Sequence, residues 1–289
     1  MKLTRIRVHP VKSFAGVDTD ATHVLPWGLE GDRRWAVVDP DGKPVTAREE
    51  NAMLGLTAEV VDAGAGAGAG ASALLLGSRD GAPALRVAMP ASDAEPIAVG
   101  HSRQGTALPA GSDADAWLSA RLGRPLRLVW QPDPRARTVN PSNGGRPGDI
   151  LSLADAGPLL LASEASVARL NALALEDALE RGETDAPPLV VERFRPNLVI
   201  DGDPREPFAE EAWSHVHVGG VRFRVQGVCD RCVMTTIDPD TLQRGKEPIR
   251  TLAKHRRREG KTWFGVWLVP DLDASETDVL SVGDEVQAA

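Results

Sequence analysis

Apolar and polar positions alternate in short runs through the first third of the chain, a pattern typical of β-strands. Residues 35–38 form an apolar run, and a return strand is expected near 44–48. Between them lies Asp-Pro-Asp-Gly at 39–42, where proline fixes φ and glycine permits positive φ, so a turn is predicted. Short strands are also expected within 85–90 and 95–100. The sequence therefore predicts β-structure for this part of the chain.

Helices are predicted in three later segments. A helix is predicted over 112–123, with Gly123 at its C-terminal stop. A second helix is predicted from about 164 to 180, where the side chain of Ser163 is placed to cap the first turn. A short helix is expected over 246–258.

The second half is otherwise predicted to form hairpins over 213–240 and closing strands over 262–270 and 278–287. Strands and helices do not alternate along the chain, so a doubly wound parallel sheet is not expected. The predicted fold class is α+β, mainly β. The Gly/Ala-rich segment 62–73 is expected to be a mobile loop, and 131–149, rich in Pro, Gly and Asn, a linker or long loop between two domains.

Composition narrows the class of protein. Hydrophobic residues make up 42% of the chain and charged residues 26%, the balance of a globular protein. There is no signal-peptide pattern, no apolar run of about 18 residues, and too few cysteines for a disulfide framework. We therefore expect a cytoplasmic protein without a membrane span. The net charge of −8 and the aromatic content of 4% argue against a nucleic-acid partner.

Candidate chemistry centres on Cys229 and Cys232, the two cysteines of the chain. A redox disulfide needs Cys-x-x-Cys at a helix N-terminus, but the β-branched sequence at 233–238 favours a strand. A structural zinc site is a second reading, because His215 and His217 share one face of a predicted strand and complete a Cys₂His₂ set. A third reading is that both cysteines are buried thiols with no catalytic or metal-binding role.

A single thiolate on a soft transition metal is the fourth reading. Thiolate is a preferred ligand for such metals, and a cationic neighbour such as Arg231 favours the deprotonated form. One protein thiolate cannot hold a metal alone, so a cofactor must supply the other ligands. An anionic cofactor would need lysine and arginine from elsewhere in the chain.

Six short motifs occur in an order that resembles the MOSC-domain superfamily, nearest to its amidoxime-reducing component branch. They are HPVKS (9–13), GDRRWAVVD (31–39), VTARE (45–49), LASEAS (161–166), RFRPNLVI (193–200) and CDRCVMTTIDPDT (229–241). The resemblance covers nearly the whole chain. It implies two β-barrel-like domains with a few flanking helices: an N-terminal MOSC β-barrel domain at 1–125, a linker or loop at 126–149 and a MOSC domain at 150–289.

The resemblance also implies a pyranopterin molybdenum cofactor, with Cys232 as the molybdenum ligand and catalytic residue. Cationic and polar side chains are expected to bind the cofactor's phosphate and pterin edge, and the backbone of two small residues to lie close to it. The expected cofactor-binding residues are Lys12, Ser13, Arg33, Ala156, Gly157, Arg195, Asn197, Asp230 and Arg231. Arginine suits this task because its planar fork makes bidentate, charge-assisted hydrogen bonds.

Two positions depart from the family pattern. His9 stands where the family commonly has tyrosine, which is expected to alter packing beside the cofactor. Leu242 stands where the family usually has glycine after Asp-Pro-Asp-Thr, which is expected to lengthen the turn.

The activity implied by the resemblance is reduction of a small N-hydroxylated substrate: an amidoxime, a hydroxylamine or an N-hydroxylated base. Electrons are expected from an external redox partner, a flavoprotein, a ferredoxin or a cytochrome b5-like protein. Residues 244–261 carry eight Lys or Arg against Glu247 and Glu259, and either dock an acidic donor or form a solvated helix face. The alternative function is a non-catalytic carrier that delivers the molybdenum cofactor or its sulfur.

Overall fold

The structure, a computed structural model, describes residues 1–62, 72–184, 186–272 and 278–289. Most of its regular elements are strands, which confirms the predicted mainly β, α+β class. The helices are α1 (Ser112–Leu122), α2 (Glu164–Glu180) and α3 (Ile249–His255). The first strands are β1 (Leu3–Val8), β2 (Val17–Thr19), β3 (Ala21–Leu25), β4 (Gly28–Leu29), β5 (Trp35–Val38), β6 (Pro44–Val45), β7 (Leu56–Asp62), β8 (Ser72–Ser78), β9 (Leu85–Ala88), β10 (Ile97–Ala98), β11 (Thr106–Pro109) and β12 (Arg127–Trp130). The remaining strands are β13 (Leu159–Ser163), β14 (Leu198–Ile200), β15 (His215–Val218), β16 (Val221–Asp230), β17 (Arg257–Arg258), β18 (Lys261–Pro270), β19 (Asp278–Ser281) and β20 (Val286–Ala288).

The largest sheet joins both ends of the chain. Its strands lie in the order β2-β1-β14-β13-β18-β16-β15-β20, with β17 paired to β18. Strand β1 pairs antiparallel with β14, with Ile6 opposite Leu198. Two further pairings of first-half strands bear on the domain boundaries. Strand β3 pairs with β19 from the end of the chain. Strand β12, which lies within the predicted linker 126–149, pairs with β5. Residues 127–130 therefore belong to a sheet, and backbone pairing crosses the predicted division at 125–150.

Eight of the described first-half strands form two smaller sheets, β10-β11-β12-β5-β6 and β7-β8-β9, while β3 and β4 form a third with β19. The core of the first two sheets includes the fully buried side chains of Phe14 and Trp35, and Ile237 from the second half packs into it. The core of the large sheet is separate and includes Phe223 and Leu268. The segment that contains both cysteines therefore runs from one hydrophobic core to the other.

Several local predictions are confirmed. The strand at 35–38 is fully buried, and the turn after it closes through a hydrogen bond from Gly42 N to Asp39 O of 3.0 Å. Helix α1 ends at Leu122 and is followed by Gly123, which has φ of 69° in the left-handed region and caps it. The hydroxyl of Ser163 accepts a hydrogen bond from the backbone N–H of Ser166 and so caps helix α2.

Other predictions were wrong in extent. The return strand covers only Pro44–Val45. The helix expected over 246–258 is only Ile249–His255, because 257–258 pair with β18 as strand β17. The strand expected at 233–238 is instead a 3₁₀ turn over Val233–Thr236.

A local side-chain effect accounts for the 3₁₀ turn. The hydroxyl of Thr235 bonds to Cys232 O and that of Thr236 to Val233 O. Such bonds back to the main chain compete with strand pairing. Most of the loop expected at 62–73 lies outside the described residues; Asp62 and Ser72 are paired strand ends. Among the helices of the described ranges, none has the length and apolarity needed to cross a membrane.

Candidate functional site

A cleft of about 620 Å³ brings together side chains from both halves of the chain. Eight of the ten residues predicted for the site line it: Lys12, Ser13, Arg33, Ala156, Arg195, Asp230, Arg231 and Cys232. Gly157 and Asn197 do not line it and lie behind its wall. The sulfur of Cys232 thus shares one cleft with the cations expected to bind a phosphate.

The cleft is cationic although the chain is acidic overall. Its described lining has three acidic residues, Asp155, Asp230 and Glu259, and eight cationic ones: Lys12, Arg33, Arg48, Arg193, Arg195, Arg231, Arg258 and Lys261. The whole chain has a net charge of −8. Clustered like charges in a concave site attract an oppositely charged ligand, so this cleft is suited to an anion.

Three residues of the predicted phosphate-binding set have left-handed backbones. Ser13, Arg33 and Arg195 have φ of 71°, 48° and 54°. Non-glycine residues rarely adopt this conformation, and such strain is found mostly at functional sites. The first two are held in place by neighbouring backbone bonds, from Lys12 N to Trp35 O at 2.8 Å and from Arg33 N to His9 O at 2.8 Å.

Arg33 is oriented by a buried polar network. Its guanidinium donates to the Asp32 carboxylate, and its Nη1 donates to Asn197 Oδ1 at 3.0 Å. Asn197 is fully buried; its Nδ2 donates to Arg7 O at 3.1 Å, and its Oδ1 also accepts from Leu160 N at 3.2 Å. The amide expected to contact the pterin is therefore used inside the protein, and we reassign Asn197 to positioning Arg33.

Arg195 retains an unused donor. Its Nη1 donates to Phe14 O at 2.6 Å, but its Nη2 is buried with no partner among the described residues. Burial, and then the charge of Arg33, lowers the pKa of Arg195 to about 9. A buried cation with a free N–H at a cleft wall is a fit for an anionic group such as a phosphate, which would satisfy both its charge and its hydrogen-bonding capacity.

The two cysteines differ in exposure. Cys229 is 2% exposed, and its sulfur accepts a hydrogen bond from Arg231 Nη1 at 2.8 Å. Burial raises the pKa of the Cys229 thiol, against the opposing charge of Arg231. Cys232 is exposed to the cleft. The prediction that Arg231 is the cation beside the metal-ligand thiol was wrong, because its guanidinium is directed at Cys229.

The cation beside Cys232 is Arg48, which sequence reasoning missed. Arg48 Nε lies 3.5 Å from Cys232 Sγ, and its Nη2 donates to Asp155 Oδ2 at 2.8 Å. Asp155 also accepts from Lys12 Nζ, so a chain of contacts joins Cys232 to Lys12. Burial favours the neutral acid, but the charges of Lys12 and Arg48 outweigh it and hold the pKa of Asp155 well below its usual range.

The sequence carried a signal for these residues. Arg48 lies in the VTARE motif, and Asp155 directly precedes the predicted pair Ala156 and Gly157. A Cβ on Gly157 would lie 2.7 Å from Gln226 Oε1 and 2.9 Å from Trp267 Cβ, so glycine is required by close packing. Gln226 is a further lining residue that the motifs did not indicate.

Family models match most of the chain. A MOSC domain model matches residues 149–287, and a MOSC N-terminal beta barrel domain model matches residues 1–125. The chain belongs to the MOSC-domain family. These matches accord with the mainly β fold and with the order of the six motifs.

Two kinds of curated relative are similar to this MOSC chain. Molybdenum cofactor sulfurase of Danio rerio is 34% identical over 98% of the chain, which spans 34% of that protein. Mitochondrial amidoxime-reducing component 1 is 29% identical in Danio rerio, over 98% of the chain and 83% of the relative. In Mus musculus it is 30% identical, over 88% of the chain and 71% of the relative. The first name associates the family with the molybdenum cofactor, and the second with the reduction of amidoximes.

The zinc-site and redox-disulfide readings of the cysteine pair lack the geometry that each of them requires. In the described ranges no group of three or more His, Cys, Asp or Glu side chains is arranged to hold a metal, so His215 and His217 do not complete a zinc site. Cys232 precedes a 3₁₀ turn of four residues rather than an α-helix, so no helix dipole acts on a redox pair.

The basic segment 244–261 is partly neutralised. Lys254 Nζ contacts both Asp177 Oδ1, at 2.7 Å, and Glu180 Oε2, at 2.6 Å. Arg256 and Arg258 both pair with Glu211. Part of the charge expected to dock a redox protein is thus engaged within the fold, and the docking role of this segment stays a prediction.

The two departures from the family pattern occupy defined places. His9 is buried behind the cleft, where its backbone N–H donates to Asp32 Oδ1 at 2.8 Å. Burial, and then the charges of Arg195 and Arg33, hold the pKa of His9 well below its usual value, so its ring is neutral. Leu242 has φ of 60°, a conformation that glycine adopts without strain, and its side chain packs on the first-half core.

Proposed function

We propose that this protein binds the pyranopterin molybdenum cofactor in the cationic cleft, with the Cys232 thiolate as the protein's ligand to the metal. The observation that carries the proposal is one cleft holding an exposed thiol beside Arg48 and a buried Arg195 with a free donor. Soft metals select thiolate, and a phosphate ester needs the cations that this cleft supplies.

The predicted lining residues have defined parts in this proposal. Lys12, Arg33 and Arg195 neutralise the phosphate, and Ser13 offers a hydroxyl to it. Ala156 offers its backbone N–H group, while Gly157 packs behind the wall against Gln226 and Trp267. Asp155, held ionised by Lys12 and Arg48, keeps both cations in place when no ligand is bound.

Arg231 and Asp230 flank the metal ligand. Arg231 holds the buried Cys229 through its Nη1 and Phe194 O through its Nη2, so it fixes the backbone that leads to Cys232. Asp230 is exposed at the end of β16 and lines the cleft next to the metal ligand. Cys229 is a packed neighbour and not a ligand.

The proposed activity is the two-electron reduction of small N-hydroxylated compounds: amidoximes, hydroxylamines and N-hydroxylated bases. When bound, the cofactor supplies the oxygen-abstracting redox chemistry, while the protein orients and tunes it. The N–O bond breaks, and two electrons and two protons convert the released oxygen to water. Electrons come from a separate flavin, ferredoxin or cytochrome b5-like donor. The similarity to mitochondrial amidoxime-reducing components along most of their length supports this assignment.

A second candidate is a non-catalytic carrier of the cofactor or its sulfur. The observation in its favour is the 34% identity to a molybdenum cofactor sulfurase. The chain spans about a third of the length of that relative, so the similarity concerns only part of it.

Turnover separates the two candidates. Holoprotein made in a host that synthesises the cofactor is mixed with benzamidoxime and a chemical electron donor, with Cys232→Ser as the matched control. A reductase forms benzamidine, and the control does not. Molybdenum-loaded protein that forms no benzamidine but passes its cofactor to an apo-acceptor enzyme would establish the carrier.

A further inference from the structure

Gln226 is the extra residue of a β-bulge in the strand that leads to the cysteines. Strand β16 pairs with β18 as Val225 opposite Leu268 and then Gly227 opposite Trp267, so Gln226 has no partner in the register. A bulge turns a side chain away from the alternation of its strand and is common beside active sites. Here it places Gln226, 9% exposed, on the wall of the cleft.

Hydrogen bonds fix which end of the Gln226 amide is the oxygen. The nitrogen Nε2 donates to Asn143 O at 2.7 Å and to Ala156 O at 2.9 Å. An amide nitrogen carries two N–H donors, and both are used. Exchanging O and N would set an acceptor against two carbonyls, so the orientation is determined.

The oxygen Oε1 of Gln226 is consequently the end of the amide that has no hydrogen-bond partner. It is buried and accepts no hydrogen bond from the described residues. Gly157 packs directly against it, since a Cβ there would lie 2.7 Å from Oε1. A buried acceptor without a donor calls for an explanation in a native protein, and because Gln226 lines the cleft, a ligand bound there can supply the donor.

We infer that Gln226 Oε1 accepts a hydrogen bond from a ring N–H of the ligand in this cleft, which makes Gln226 a specificity-determining residue for that ligand. The ligand then carries an anionic group for Lys12 and Arg195 and a nitrogen-bearing ring for Gln226. A phosphorylated pterin has both, and this inference rests on the proposed function. The cofactor, rather than the substrate, is the partner because Gln226 is bonded to Ala156, the neighbour of the Asp155 that binds Lys12.

Three variants test this assignment through retention of the cofactor. Gln226→Leu removes both ends of the amide. Gln226→Lys keeps donors for the two carbonyls and removes the acceptor. Gln131→Leu is the matched control, because Gln131 is fully buried with an unpartnered Oε1 but does not line the cleft. The readouts are the rate at which molybdenum and pterin leave the holoprotein, the urea midpoint of cofactor-free protein, and KM for benzamidoxime.

Gln226→Leu should lose cofactor about threefold to tenfold faster than wild type, the effect of one buried hydrogen bond, and Gln131→Leu should not. Gln226→Lys should also lose it faster than wild type, although its added charge attracts the anionic cofactor. Cofactor loss at the wild-type rate in Gln226→Leu overturns the inference and leaves the proposed function standing. A raised KM with unchanged cofactor loss also overturns it. Wild-type protein that holds no molybdenum overturns both.

Discussion

Replacing Asn197 by alanine removes a fully buried amide that makes three hydrogen bonds. Its partners are Arg33 Nη1 at 3.0 Å, Leu160 N at 3.2 Å and Arg7 O at 3.1 Å. The change also removes a partner from each of these groups, and one of them belongs to Arg33, a cation in the cleft that keeps its bond to Asp32. The role assigned to Asn197 therefore predicts a loss of stability together with weaker cofactor binding.

The size of the effect follows from these bonds. Each buried hydrogen bond contributes about 1 kcal/mol net, and an orphaned buried group adds to that loss, so the expected destabilisation is about 3–5 kcal/mol. The free energy of unfolding is measured by urea titration of cofactor-free protein. Cofactor retention is measured separately, as molybdenum per chain after dialysis.

Asn171→Ala is the matched control. The Asn171 amide makes two hydrogen bonds to the backbone of Leu189, away from the cleft, so about 1–2 kcal/mol should be lost with no change in retention. If Asn197→Ala lowers retention while stability is unchanged, Asn197 contacts the ligand directly. If stability falls while retention stays at the wild-type level, the network does not position Arg33.

Two further predictions concern charges around the cleft. In cofactor-free protein, Cys232 is alkylated by iodoacetate, an anion, and by the neutral iodoacetamide, and the ratio of the two rates is measured. Arg48→Gln should lower this ratio about fivefold, since a charge about 4 Å away contributes about 1 kcal/mol at the dielectric of water. Arg205→Gln should not change the ratio, and an equal ratio in all three proteins would contradict a role for Arg48 beside Cys232. Burial, and then the charge of Lys12, lowers the pKa of His101 to about 4. Below about pH 6.5, His101 therefore binds a proton in the unfolded chain but not in the folded one. The free energy of unfolding then falls by up to about 1.4 kcal/mol per pH unit, down to about pH 4. His101→Gln should make the pH dependence of the urea midpoint shallower in that window, whereas an unchanged dependence would contradict the assigned pKa.

Features set by neighbouring residues were predictable from the sequence. The turn at 39–42 and the Ser163 cap depend on side chains within a few positions of each other, and both are present. The 3₁₀ turn after Cys232 was missed although its cause is also local, because strand propensity was weighed without the back-bonding of Thr235 and Thr236.

Long-range pairing was not predictable in this way. Nothing within 3–8 indicates that this strand pairs with 198–200, and that pairing brings Arg33 within reach of Asn197. The bulge at Gln226 is likewise a property of two strands together. Motif resemblance carries long-range information and supplied eight residues of the cleft, but it did not indicate Arg48. The expectation that Arg231 lies beside the metal-ligand thiol came from charge and spacing alone, and its guanidinium contacts Cys229 instead.

The central claim is that Cys232 holds a molybdenum centre in this cleft, and metal content tests it most directly. Wild type, Cys232→Ser and Cys229→Ser are produced in a host that synthesises the cofactor, and molybdenum and zinc are counted per chain. We expect about one molybdenum in wild type and in Cys229→Ser, and molybdenum that is absent or inert in Cys232→Ser. Zinc in place of molybdenum, or molybdenum that depends on Cys229 and not on Cys232, would contradict this account.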